Sequence, residues 1–288
     1  MRATKEIRGI FDDAKAQWEH LTIANDFVFG KVMLEPDLCR EILEMILGIP
    51  IDHVEYVRRQ EVIDERVDGK GVRLDVYVRD DAGTVYNVEM QASDTHELPR
   101  RARYYQALLA LDQMDRGVPY MALRDAYVIF VCGFDLFGQG RGIYWFENRC
   151  RGDGSLAMGD GAHVIFLSAV PTRARGMDDR RIDEFLDYVS ERKVTGALST
   201  RLDAAVERVL DNRTWRLEYM NLAVRDQLNR AKGRIEGREE SVALLRELAD
   251  ALVADGRTED VAKILTDPEL RDRLCEKYGI RYPAHADA

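Results

Sequence analysis

The chain has 288 residues, 46% hydrophobic and 33% charged, with 42 basic against 52 acidic side chains and a formal net charge of −10. That length suits one large domain or a medium domain with an appendage, and the composition is that of a folded, soluble chain. No run approaches the roughly 20 apolar residues of a bilayer span, and the opening Met-Arg-Ala-Thr-Lys-Glu lacks the apolar core of a signal peptide. A cytoplasmic protein without membrane contact is expected. The acidic balance argues against a protein that coats DNA along its length, because phosphate binding draws on Lys and Arg. It leaves room for one that grips DNA locally. Cys39, Cys132, Cys150 and Cys275 are scattered and form no CxxC pair, which reads as structural thiols rather than a zinc site. The five histidines show no ligand spacing.

In chain order, residues 1–20 suit a short helix, and Asn25 or Asp26 can cap the next one. A further helix is expected over Asp37–Leu47, with Leu38, Ile42, Met45 and Ile46 at helical spacing and Gly48-Ile49-Pro50 at its end. Residues 54–63 read as a first strand, and 72–79 with 85–91 as a hairpin. Leu98–Leu111, opened by Pro99, reads as a helix with Tyr104, Leu108 and Leu111 as its apolar stripe. Tyr127–Cys132 is a continuous apolar run, as in a buried strand. Short strands fit Ile143–Phe146 and Val164–Leu167. The glycine-rich stretch 138–142 lacks the lysine and following helix of a phosphate loop and reads as a turn. From Asp178 the pattern turns helical. Residues 201–238 read as one or two long helices interrupted at Gly233 and Gly237, and 241–279 as two short amphipathic ones. The expected fold class is α/β, a mixed sheet in helix-strand-strand-strand-helix-strand order with a C-terminal helical extension. The expected domains are residues 1–200 and a helical arm over 201–288, long enough for homodimerisation.

The chemistry concentrates in the hairpin. Side chains alternate with period two, so Val72, Leu74, Val76 and Val78 face one way and Arg73, Asp75, Tyr77 and Arg79 the other. In the second strand Val85, Asn87, Glu89 and Gln91 share a face. The loop Asp81-Ala82-Gly83 suits a three-residue turn closed by a left-handed glycine. That register sets Asp75 directly opposite Glu89. Facing carboxylates repel, and a cation between them resolves the conflict. A solvated face paired with Arg73 and Arg79 is the alternative. Asp26 is a third acid or a helix cap, and Glu61 a site acid or a solvated one. Arg100, Arg101 and Arg103 cluster just beyond the hairpin, as a nucleic-acid contact or as a solvated helix face.

Asp75, the Glu89-Met90-Gln91 strand and the following Arg/Tyr-rich helix resemble the core of the PD-(D/E)xK nucleases, and more narrowly their transposase-like branch with the recombination-promoting nucleases. Supporting fragments are Asn25-Asp26-Phe27-Val28-Phe29, Arg103-Tyr104-Tyr105-Gln106, Arg213-Thr214-Trp215-Arg216 and Glu236-Gly237-Arg238-Glu239-Glu240, so that the resemblance spans roughly residues 20–240. Two residues depart from the family name: Leu74 stands before Asp75, and Gln91 stands where lysine is usual. The resemblance implies a restriction-endonuclease-like core and a Mg²⁺-dependent DNA endonuclease acting in recombination or mobile-element biology, with Mn²⁺ a substitute ion. Asp75, Glu89 and Gln91 would be catalytic. Asp75, Glu89 and the Met90 carbonyl would hold the metal, and Arg100, Arg103 and Tyr104 would contact DNA. The alternative is a degenerate nuclease fold that binds DNA or protein partners without cleavage, because a neutral amide does not do all that lysine does.

Overall fold

The computed structural model describes residues 2–56, 74–170 and 180–280. Its elements run α1 (Arg2–Trp18), α2 (Asp26–Val32), α3 (Pro36–Leu47), β1 (Val54–Tyr56), β2 (Val76–Asp80), β3 (Val85–Gln91), α4 (Leu98–Asp112), β4 (Ala126–Cys132), β5 (Ile143–Glu147), β6 (Arg149–Cys150), β7 (Asp153–Ala157), β8 (Ala162–Ser168), α5 (Arg180–Glu191), α6 (Ala197–Asp211), α7 (Arg213–Ala254), α8 (Thr258–Lys263) and α9 (Pro268–Tyr278). The chain divides into two compact units, residues 15–219 and residues 1–14 with 220–288.

The first unit is built on a mixed sheet, in the order β1-β2-β3-β4-β8-β5 among the described residues. β1, β2 and β3 pair antiparallel, β3 to β4 and β4 to β8 run parallel, and β5 closes the far edge antiparallel. β4 is buried along its whole length, as expected of a strand with neighbours on both sides and helices over both faces. On one face Val76, Val78, Tyr86, Val88, Met90, Ile129 and Val131 join a core completed by α2, α3, α5 and α6. On the other, Tyr77, Val85, Val128, Phe130 and Phe166 pack under α4. Asn25, not Asp26, caps α2, its side chain accepting the Val28 N–H. Gly48 ends α3 in the left-handed conformation.

The hairpin register is the one its loop demands. Gly83 has φ of 86°, Asp80 and Thr84 meet across the loop, and Val76 pairs with Val88, Tyr77 with Asn87 and Val78 with Tyr86. Only residues 54–56 of the first expected strand, and Leu74 onward of the second, fall within the described part. Leu74 corrects the alternation. It packs under α4 with Tyr77 rather than beside Val76 and Val78, because the chain bends at Asp75 before β2 begins.

Two helical expectations also change. The buried face of α4 is Leu98, Ala102, Tyr105, Leu108 and Leu109, whereas Tyr104 and Leu111 are 41% and 56% exposed. Spacings of four, three and four residues from Leu98 make the tighter stripe, and Tyr104 lies outside it. Gly233 and Gly237 do not interrupt the C-terminal helix, since α7 continues through both to Ala254. A helical glycine costs about 1 kcal/mol relative to alanine, a penalty that the long Arg-, Glu- and Leu-rich flanks absorb. Residues 241–254 are therefore the end of α7, and the second unit packs Leu244, Leu248 and Leu252 of α7 against Ile264, Leu274 and Cys275.

Candidate active site

The site forms where β2 begins and β3 ends. Extending the register by one pair sets Asp75 against Glu89. Here side chains replace the backbone ladder. The Asp75 N–H donates to Glu89 Oε1 at 3.2 Å, and the Met90 N–H donates to Asp75 Oδ2 at 3.1 Å. Gly30 of α2 approaches from the other side, where a Cβ would lie 3.5 Å from the Asp75 carbonyl oxygen. Each carboxylate is thus held by a backbone N–H, Glu89 by that of Asp75 at the bend before β2 and Asp75 by that of Met90 in β3.

Glu89 is 2% exposed and lies beside Phe130 of β4. Burial, followed by the charge of Asp75, holds its carboxyl well above the usual carboxylate range, and the Asp75 N–H and Arg101 pull it only partly back. The cause is the expensive desolvation of a charge beside a like charge.

α4 supplies the counter-charge. Arg101 stands at the margin of the buried stripe and reaches three partners. It donates to Gln91 Oε1 at 2.9 Å, to the Tyr105 hydroxyl at 2.8 Å and to Glu89 Oε2 at 3.4 Å. Its guanidinium also lies over the rings of Tyr105 and Phe130. Burial pushes the Tyr105 phenol up to about 12, so it stays neutral. Gln91 completes the cluster by donating to the Met90 carbonyl at 3.0 Å.

Asp75, Glu89, Met90 and Gln91 therefore come together. Arg100, Arg103 and Tyr104 are all exposed on α4. Of the arginine trio it is Arg101 that turns inward, beside Ala102 and Tyr105. Its place next to that stripe, one helical turn before Tyr105, was the available signal. Asp26 bonds its own neighbour, accepting the Phe27 N–H. Among the described residues no three His, Cys, Asp or Glu side chains gather as a metal cluster. Glu61 lies outside the described residues.

With this geometry, residues 23–142 match the family model for the PD-(D/E)XK nuclease family transposase.

The matched segment runs from just before α2 to just before β5 and contains every residue of the cluster. It supports a nuclease or transposase-like role. The fragments at 213–216 and 236–240 fall beyond it. No curated protein and no solved structure matches the chain. Members of such a family use divalent metals, and the donor set here suits one. Two carboxylates and a carbonyl are the hard oxygen ligands magnesium takes, with water completing the shell. Asn87, two residues before Glu89 on the same face, is fully buried, and its amide stands by the Glu89 carboxyl as a further group that pulls that pKa down.

Proposed function

We propose that the protein is a Mg²⁺-dependent DNA endonuclease with a restriction-endonuclease-like core, acting in DNA recombination or mobile-element biology. The observation that carries this reading is the opposed Asp75–Glu89 pair where β2 begins and β3 ends, with Arg101 beside it. Asp75, Glu89 and the Met90 carbonyl would hold Mg²⁺ or, in its place, Mn²⁺. The ion would polarise the scissile phosphate and lower the pKa of a bound water. Water then adds to phosphorus, the bond to the leaving oxygen breaks, and that oxygen takes up a proton. Gln91 would hold a phosphate oxygen or the water. Arg101 supplies positive charge beside the carboxylate pair, 3.4 Å from Glu89. Arg100, Arg103 and Tyr104, exposed on the same helix, are the proposed contacts to the flanking backbone.

Supercoiled plasmid incubated with Mg²⁺ and the protein, beside an Asp75→Ala variant, tests this. Nicking by the wild type alone supports it. Equal nicking by both moves the chemistry elsewhere. Metal and DNA binding without nicking gives the degenerate binding module.

The partner proposed for the second unit is another copy of this chain. α7 exposes Leu228, Ile235 and Val242, each one heptad after the last, with Ile235 at 60%. They lie on the side away from Leu244, Leu248 and Leu252. Arg234 and Glu239 flank Ile235 at the spacing that joins opposite charges across a parallel two-stranded coil. A dimer would also bring two sites to the two strands of DNA.

A further inference from the structure

Gln91 stands where the family name places a lysine, and the two side chains differ in one respect that matters for a phosphate. Lysine only donates hydrogen bonds, whereas an amide donates from one end and accepts at the other. Which end of Gln91 meets the substrate therefore decides whether it can do a donor's work. Its neighbours settle this twice over. Arg101 has no acceptor, so the Gln91 atom 2.9 Å from its guanidinium must be the oxygen. The Met90 carbonyl has no donor, so the atom 3.0 Å from it must be the nitrogen. A flipped amide would set N–H against N–H at one contact and oxygen against oxygen at the other. The nitrogen carries two protons, and the Met90 carbonyl takes one.

Met90 and Gln91 also sit correctly for this. The Gly133 N–H bonds the Gln91 carbonyl, so Gln91 turns its backbone toward β4. Met90, one residue earlier, turns its backbone toward β2, where its N–H meets Asp75. The Gln91 nitrogen is therefore drawn to the Asp75 side of the strand, the side of the two carboxylates.

We infer that Arg101 is a positioning residue that fixes the polarity of Gln91, holding the amide nitrogen toward the carboxylate pair so that its second proton is offered to a phosphate oxygen. A preorganised donor of this kind stabilises the charge that develops on the phosphate during attack. The ring contacts with Tyr105 and Phe130 and the bond to the Tyr105 hydroxyl keep the guanidinium in place. The inference rests on the proposed nuclease reading for its consequence, but not for the amide orientation itself.

Arg101→Met keeps an apolar stem over Tyr105 and Phe130 and removes the donor. In the metal-free protein, the two side-chain N–H signals of Gln91, identified by their loss in Gln91→Lys, should be well dispersed in the wild type. They should collapse toward free-amide positions in Arg101→Met. With Mg²⁺ and plasmid, Arg101→Met should cut about 100-fold more slowly, the usual cost of one misplaced donor. Adding Gln91→Lys to it should recover most of that loss, since lysine needs no orienting partner. Mg²⁺ binding by calorimetry should change only a few-fold across the series. Unchanged Gln91 signals in Arg101→Met overturn the inference, and so does a double variant no faster than Arg101→Met. A wild type that cuts nothing defeats the nuclease reading, and the amide signals still decide the orientation.

Discussion

The backbone N–H of Asp75 donates to the carboxylate of Glu89 at 3.2 Å, so the residue that brings one negative charge into the site also steadies the other. The Asp75 carboxylate in turn takes the Met90 N–H. Removing either side chain disturbs both electrostatics and backbone pairing, and variants must be chosen to separate the two.

Asp75→Asn keeps an oxygen for the Met90 N–H and removes the charge. Its thermal midpoint should match or exceed the wild type, because the repulsion with Glu89 is relieved, while Mg²⁺ affinity falls at least about 10-fold as a charged hard ligand is lost. Asp75→Ala also leaves the Met90 N–H without its acceptor and should cost about 1–3 kcal/mol. Differential scanning calorimetry with and without Mg²⁺ distinguishes the pair.

The raised pKa of Glu89 gives stability a definite slope. Between the ordinary carboxylate value near 4.3 and the raised folded value, the folded state holds a proton that the unfolded chain has lost. The contribution of this group to stability therefore declines as pH climbs through that window. Glu89→Gln removes the group, so its stability relative to wild type should rise between pH 5 and pH 9 by about 1–3 kcal/mol. Urea unfolding at the two pH values, free of divalent cations, measures the change.

The same shift couples metal binding to protons. A carboxyl held protonated must lose its proton to become a ligand. Mg²⁺ affinity should strengthen as pH rises from 6 to 9. Calorimetry at pH 7 in buffers of different ionisation enthalpy should show net proton release, and Glu89→Gln should abolish it.

Leu109 is fully buried under the sheet on the α4 side. Leu109→Ala should destabilise the first unit by about 2–5 kcal/mol, read as an earlier urea midpoint. It should also weaken Mg²⁺ binding less than Asp75→Asn does, because it touches packing and not the ligand pair.

Ile235→Asp tests assembly. It puts a charge in the middle of the exposed α7 stripe without touching Leu244, Leu248 or Leu252. The wild type should scatter light as a dimer at tens of micromolar and the variant as a monomer, with equal helical circular dichroism. The dimer should weaken about 10-fold in Arg234→Glu and recover when Glu239→Arg is added.

The hairpin could be read from its residues alone. Period-two alternation and a glycine three residues into the loop determine which side chains face each other, and both are local properties. Asp75 opposite Glu89 followed from that register, as did the buried β4 from its unbroken apolar run. Three features needed the folded chain. Leu74 left its expected face because the chain bends where side-chain bonds from Asp75 replace the backbone ladder. The glycines of α7 stayed helical because the cost of each is small against a long helix and packing elsewhere in its unit. Arg101 was set apart from Arg100 and Arg103 in sequence only by its place beside the Leu98, Ala102 and Tyr105 stripe, and the seating of α4 on the sheet turned it toward Glu89 and Gln91. Local periodicity decides which residues share a face. Which of three neighbouring arginines meets a buried carboxylate is decided by the rotation of a helix about its axis, and that is set by tertiary packing.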